Sequence, residues 1–298
     1  MWREQGAHLA GFPVGPRGGL RRPCRAPVCG LIAWSLLVCG PAATAADLEF
    51  HFADRFDDAE QAKLKAWVTR VADATEQLAG PFGFPIHVHF ERTGSSEPVP
   101  WARTLRGHRQ GIRFYVDPGH SAEAFMKDWT APHEFSHLLL PYLGSRNAWF
   151  AEGFASFMQY QVMHSMGVLD AAEAARRYRE RLQRAERAYT RHGETFVAAA
   201  PRLHAERKYP TLYWGGAVFF FRLDARLRAD ADTGLLDLLR DYVACCRRNR
   251  AELLALIRDF DRLLGANQCA DELAAFAAER GFPEYDHLEP GIVGGPGR

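Results

Sequence analysis

Five consecutive residues, His133-Glu134-Phe135-Ser136-His137, restrict what this 298-residue chain can become more than any other stretch. Phe135, Leu138 and Leu139 give the segment one apolar side, so it reads as a helix with a face on a core. In a helix, residues four apart differ by about 40° around the axis and stand one turn apart. Two imidazoles so placed can reach one ion at metal–nitrogen distances of about 2.0–2.1 Å. Glu134 projects on the same side and can take the proton of an attacking water, as the general base of metal-assisted hydrolysis does. Composition alone would produce this pattern in roughly 3% of chains with as many His and Glu. Its meaning therefore depends on what surrounds it.

The surroundings favour a metal. Thr130 is expected to cap the helix and Pro132 fits its first turn, where a missing N–H costs little. The helix is expected over 131–140, stopped by Pro141. A turn from Tyr142 to Ala148 holds Gly144, Ser145 and Asn147, and a second helix is expected over 149–165. If the two run antiparallel, His137 lies three residues before the turn and Glu152 three residues into the second helix. At 1.5 Å per residue each is about 4.5 Å from the turn, so the two stand level. Glu152 is the expected third ligand, and Gly153 is expected to let the two helices approach. Three protein ligands with an open fourth position define a catalytic rather than a structural zinc site.

HEFSH followed by WFAEGFASF resembles the gluzincin metallopeptidases, whose pattern is HExxH and a downstream Glu, most closely the glycyl-aminopeptidase family. Tyr213-Trp214-Gly215-Gly216-Ala217, with Leu223-Asp224 after it, is similar to that family's Y-x-K-G-A segment, and residues 250–285 resemble its closing helices. The resemblance covers about 121–285. It implies a zincin-like fold, bound Zn2+, a peptide or protein substrate, and Tyr213 as the donor that steadies the oxyanion. It also implies that the strand Ile112 to Val116 is the edge along which a peptide lays its backbone. Two positions and one missing segment depart from the pattern. Gly215 stands where the family has Lys. No G-A-M-E-N segment, which anchors a substrate amino terminus, lies upstream of His133. Ser156 stands where related sites have an acid steadying a ligand His, so Ser156 or another group has that task. Two other readings stand beside the peptidase: an aminopeptidase on short peptides, and a non-catalytic module that holds zinc and binds peptides.

The rest of the chain reads as an α+β fold, a small N-terminal mixed sheet followed by a mostly helical C-terminal bundle. One domain is expected over 47–285, with an α/β part at 47–120 and a helical part at 121–285. The α/β part has strands at 48–53, 86–91 and 112–116, a loop at 92–100, and a helix capped by Asp57 or Asp58 that runs to about Ala79. Further helices are expected near 121–128, 170–191, 213–229, 234–246, 250–264 and 270–280, and 286–298 is expected to be an irregular tail. His87 and His89 share a strand face and read as two solvated side chains. Seven Arg on 170–191 read as a solvated face paired with Glu180 and Glu186.

Residues 1–46 read as an export leader. A basic region ending at Arg25 precedes an apolar run from Val28 to Cys39, too short to span a bilayer, followed by small residues up to Ala46. A cleaved signal peptide or an uncleaved N-terminal anchor both fit, and the expected location is the periplasm or outside the cell. A membrane partner follows only from an anchor. Formal net charge is +1, but the leader holds five Arg and one acid, so the remainder has 37 − 5 = 32 basic and 36 − 1 = 35 acidic residues. A net of −3 argues against a nucleic-acid partner, which needs a clustered positive surface. Beyond the leader only Cys245, Cys246 and Cys269 remain. Either Cys245 or Cys246 bridges to Cys269, or all three are thiols.

Overall fold

Residues 46–293 are described by a computed structural model; the leader expected over 1–46 lies almost wholly outside them. The chain opens with strand β1 (Leu48–Phe52), helix α1 (Asp58–Ala79) and strands β2 (Ile86–Arg92), β3 (Trp101–Leu105) and β4 (Gly111–Val116). Helices α2 (Ala122–Lys127) and α3 (Thr130–His137) follow, then a 3₁₀ turn at Ser145–Asn147 and α4 (Ala148–Ser165). The remainder is α5 (Ala171–Ala188), α6 (Phe196–Ala205), α7 (Tyr209–Asp230), α8 (Leu235–Cys245), α9 (Leu253–Leu264) and α10 (Gln268–Ala278). This is an α+β fold with a small mixed sheet and a larger helical part. No described helix is long and apolar enough to cross a membrane.

The four strands lie in the order β1-β2-β4-β3, with β1, β2 and β4 parallel and β3 antiparallel to β4. Strand side chains alternate between faces. Val88, Phe90, Ile112 and Phe114 are fully buried on the inner face. Helix α1 lies against that face because Leu64, Trp67, Val68 and Val71 recur at helical spacing and are all buried. Trp67 meets Phe114 and Phe125 at ring-centroid distances of 5.2 and 5.0 Å. Full burial of one such side chain stabilises the fold by about 1.5–3 kcal/mol. Asp57 caps the helix: it accepts from the Glu60 amide at 2.8 Å, and Glu60 accepts in return from the Asp57 amide at 3.0 Å. Gly80 ends it with φ +84, a conformation that favours glycine.

Strand β3 is absent from the sequence reading, and its presence moves the edge. Ile112 to Val116 sits inside the sheet between β2 and β3, so it is not an edge on which a peptide can lie; the edge on that side is Trp101–Leu105. Helix α6 also goes unread. Pro201 inside it argues against a helix by pattern, yet Thr195 caps it by accepting from the Ala198 amide.

Helices α4 and α7 form the centre of the helical part. Both are apolar on nearly every side, as helices buried all round must be. Phe150, Phe154 and Phe157 of α4 pack on Phe220 of α7 with centroids 4.8–6.1 Å apart. Around them α5 buries Ala174, Tyr178, Leu182 and Ala185. On its outer side Arg176 pairs with Glu173 and Glu180, and Arg177 with Glu173, whereas Glu186 accepts from the Tyr285 hydroxyl rather than from an Arg. From Phe282 to Val293 there is no helix or strand, but Gln161 donates to the Gly291 carbonyl and accepts from the Val293 amide. Neither a bridge to Cys269 nor a set of three thiols is formed. Cys245 and Cys246 are joined to each other, and Cys269 is a buried thiol whose amide bonds Asp261 in the α9–α10 corner.

Candidate active site

Helix α3 brings His133, Glu134 and His137 to one side, as a 3.6-residue period requires. Its start and its end both differ from expectation. Asp128, not Thr130, serves the first turn: it accepts from the Thr130 amide at 2.8 Å, and burial pushes its carboxyl up to about 6. The helix stops at His137 instead of 140. Leu138, Leu139 and Leu140 tighten into i→i+3 bonds ahead of Pro141. Arg106 and Arg247 then bond to the carbonyls at this end. Arg106 donates to His137 O at 2.7 Å and Leu140 O at 3.0 Å, and Arg247 to Leu138 O at 2.9 Å. Cations at a helix C-terminus complement its dipole. Burial, reinforced for Arg106 by the neighbouring Arg247, lowers both guanidiniums to about 10.

Glu152 of α4 meets both imidazoles. Its Oε2 lies 3.1 Å from His133 Nε2 and 3.4 Å from His137 Nε2, and the three donor atoms all lie within 4.8 Å of one another. Tetrahedral zinc with bonds of about 2.0–2.1 Å separates its ligand atoms by roughly 3.3–3.4 Å. Two imidazole nitrogens and a carboxylate oxygen at these separations fit such an ion. Both His are buried, while Glu152 keeps 24% of its side chain exposed, so the cluster is reached by solvent on the Glu152 side. Burial alone would raise Glu152, but His137 and His133 outweigh it and hold the carboxyl well below its usual range. Burial would lower His133, and the hydrogen bond and charge of Glu152 reverse that into a raised value.

Supporting groups surround the cluster, and sequence reasoning missed most of them. Gln159 Oε1 stands 3.2 Å from His133 Nδ1 and turns the other ring nitrogen towards Glu152. The bond to this His comes from Gln159, three residues beyond the Ser156 position. Gln159 is seven residues after Glu152, two turns along the same face, and a buried polar residue at that spacing was the available signal. Thr104, on the inner face of the edge strand β3, donates to Glu134 Oε2 at 2.7 Å. Tyr213 stacks on His133 with centroids 5.7 Å apart, beside the Glu152 carboxylate. Burial, with the charges of Glu152 and Glu134, raises the phenol well above its ordinary value, so it remains an O–H donor. Two exposed rings, Trp129 against His133 and Tyr209 against Tyr213, bracket the opening.

Gly153 serves a different helix from the one expected. A Cβ there would lie 2.7 Å from Gly216 Cα, and one on Gly216 would strike the Trp149 carbonyl, so the close approach is between α4 and α7. Position 215 has no room for a longer side chain either, since any Cβ would strike the Phe196 ring. His87 is buried rather than solvated, and lies against Glu49 and His51.

No protein-family model and no curated protein matches the sequence. Solved structures do share the fold. One is a two-domain M1 zinc metallopeptidase, a mutant form bound to L-arginine, at 15% identity and TM-score 0.51; the match covers 83% of this chain and 50% of that one. Another is an aminopeptidase N family protein from Idiomarina loihiensis, at 14% identity and TM-score 0.57, covering 82% of this chain and 46% of that one. The chain spans about half the length of these proteins. The likeness lies in the fold alone and does not single out the glycyl-aminopeptidase family.

Proposed function

We propose that this chain is a zinc-dependent peptidase of zincin-like build, hydrolysing peptide bonds with His133, His137 and Glu152 as the metal ligands. The observation that carries the reading is the convergence of three donor atoms within 4.8 Å beside a carboxylate held by its own hydrogen bond. Zinc bound there would polarise the scissile carbonyl and bring the pKa of a water towards about 7. Thr104 fixes one oxygen of Glu134 and leaves the other to take the proton of the attacking water. Glu134 then delivers that proton to the amine nitrogen as the C–N bond breaks, so that water and amide become acid and amine. Tyr213 donates its O–H to the carbonyl oxygen as negative charge gathers there. Gln159 keeps the His133 ring in the tautomer that presents Nε2 to the cleft. The leader supports a place of action in the periplasm or outside the cell.

The test is hydrolysis of a quenched fluorescent peptide library by the purified chain with one added equivalent of zinc, beside Glu134→Gln. We expect cleavage by wild type and a loss of at least about 10³-fold in the variant with zinc content at this site unchanged. No cleavage by the zinc-loaded chain, or equal cleavage by the variant, overturns the proposal.

A further inference from the structure

The outer face of the sheet carries a second convergence of donor atoms. In the parallel register of β1 and β2, Glu49 stands beside His87 and His51 beside His89. Residues two apart on a strand share a face, so these four side chains form a block of two by two on the side away from α1. His51 Nε2 lies 3.2 Å from His87 Nδ1, and Glu49 Oε2 lies 3.1 Å from that same nitrogen. The His51 ring also stacks on His89 with centroids 4.5 Å apart. The three donor atoms of Glu49, His51 and His87 lie within 4.8 Å of one another, as do those of His133, His137 and Glu152.

These contacts leave a conflict that protons resolve poorly. A carboxylate only accepts, and a ring nitrogen has one N–H or one lone pair. If His87 Nδ1 carries a proton, a single hydrogen faces both the Glu49 oxygen and the His51 nitrogen. If it carries none, its lone pair points at the carboxylate. A cation among the three atoms satisfies every lone pair at once. No Lys or Arg relieves Glu49 among the described residues, and the nearby Arg113 is engaged by Glu91 at 2.8 Å. His87 is buried and gives the site a fixed anchor, while Glu49 is about half exposed and leaves an entry for the ion.

We propose that Glu49, His51 and His87 form a second site for a divalent transition metal, joining strand β1 to strand β2. Two imidazoles and one carboxylate suit zinc, copper or nickel over calcium and magnesium, which prefer all-oxygen cages. The proposal stands on the sheet geometry and does not depend on the peptidase reading.

Calorimetric titration of zinc chloride into metal-stripped full-length protein tests it, with thermal unfolding as a second readout. Wild type is expected to bind two equivalents and Glu152→Ala one. Adding His51→Ala to Glu152→Ala should weaken the remaining equivalent at least 100-fold and remove the zinc-induced rise in melting temperature. Glu49→Gln in the same background, a change of one atom on an exposed side chain, should weaken it too if the alanine variant folds badly. Copper(II) bound to Glu152→Ala should show nitrogen hyperfine splitting in its electron paramagnetic resonance spectrum, reduced when His51→Ala is added. Absence of any zinc binding to Glu152→Ala overturns the proposal, as does binding there that ignores both His51→Ala and Glu49→Gln. Failure of the peptidase site has a different signature: wild type then binds no more zinc than Glu152→Ala.

Discussion

The two clusters of ligand-type side chains use the same donors, two imidazoles and a carboxylate, and differ in what holds them. On α3 and α4 every member has a supporting partner: Gln159 behind His133, Arg106 on the carbonyl of His137, Thr104 on Glu134, Tyr213 beside Glu152. On β1 and β2 the donors meet one another and little else. Similar distances can therefore serve different ends. A site that must act on a substrate needs its groups fixed by a surrounding set of hydrogen bonds, whereas a site that only ties two strands together needs convergence alone.

The sharpest way to test that contrast is Tyr213→Phe. It removes only the hydroxyl beside Glu152, and turnover should fall about 10²–10³-fold with KM little changed and bound zinc intact. Steady-state kinetics beside metal analysis decides it, and a variant as active as wild type would mean that this phenol is only packing. Next in size is Gln159→Leu, which deletes the partner of His133 and should weaken zinc at that site about 10–100-fold in competition against a chelator. Unchanged affinity would erase the distinction between a supported and a bare cluster. Thr104→Val frees Glu134 without touching a ligand; kcat is expected to drop by roughly tenfold or less, with zinc affinity unaltered.

The smallest effect is on pH dependence in metal-free protein, where His133 and His89 should have opposite signs. Glu152 is depressed in the fold, so its contribution is present above its unfolded value of 4.5 and lost as pH falls through the folded one. His133 is raised, so its contribution is complete below 6.5 and fades as pH climbs through its folded value. Both are present between 4.5 and 6.5, and the melting temperature should decline by a few degrees from there to pH 8, a limb that Glu152→Gln should flatten. On the sheet His89 is lowered, by burial and then by the His51 and Arg113 charges, so it costs stability as pH falls below 6.5. His89→Ala should flatten that acid limb instead. Melting curves in which the two variants respond alike would contradict the assignment of signs.

Legibility in the sequence tracked how far apart the interacting residues lie. The convergence of side chains on α3 and α4 is legible because a helical period and a short turn relate His133, His137 and Glu152 within twenty residues. The same logic failed at the helix end, where Arg106 and Arg247 decide which carbonyls remain open and neither is local. Thr104 was invisible because its strand went unread, and with it the identity of the sheet edge. Gly153 marks a close approach in the sequence, but nothing in the alternation of residues says that the helix crossing there is α7. The cluster on the sheet needs a parallel register between strands 38 residues apart in the pairing of Glu49 with His87, and periodicity along one strand cannot supply it.

The crossing of α4 and α7 has a consequence for the chemistry as well as for the packing. Gly153 follows Glu152 directly, and Gly216 lies one turn beyond Tyr213. Where these two glycines touch, backbone rests on backbone, and the gap between the proposed ligand and the proposed oxyanion donor is gauged by two missing methyl groups. Any larger residue at either position would act as a shim, spreading the helices and drawing the phenol away from the carboxylate. Reach across the cleft is set from behind it, by atoms that are not there.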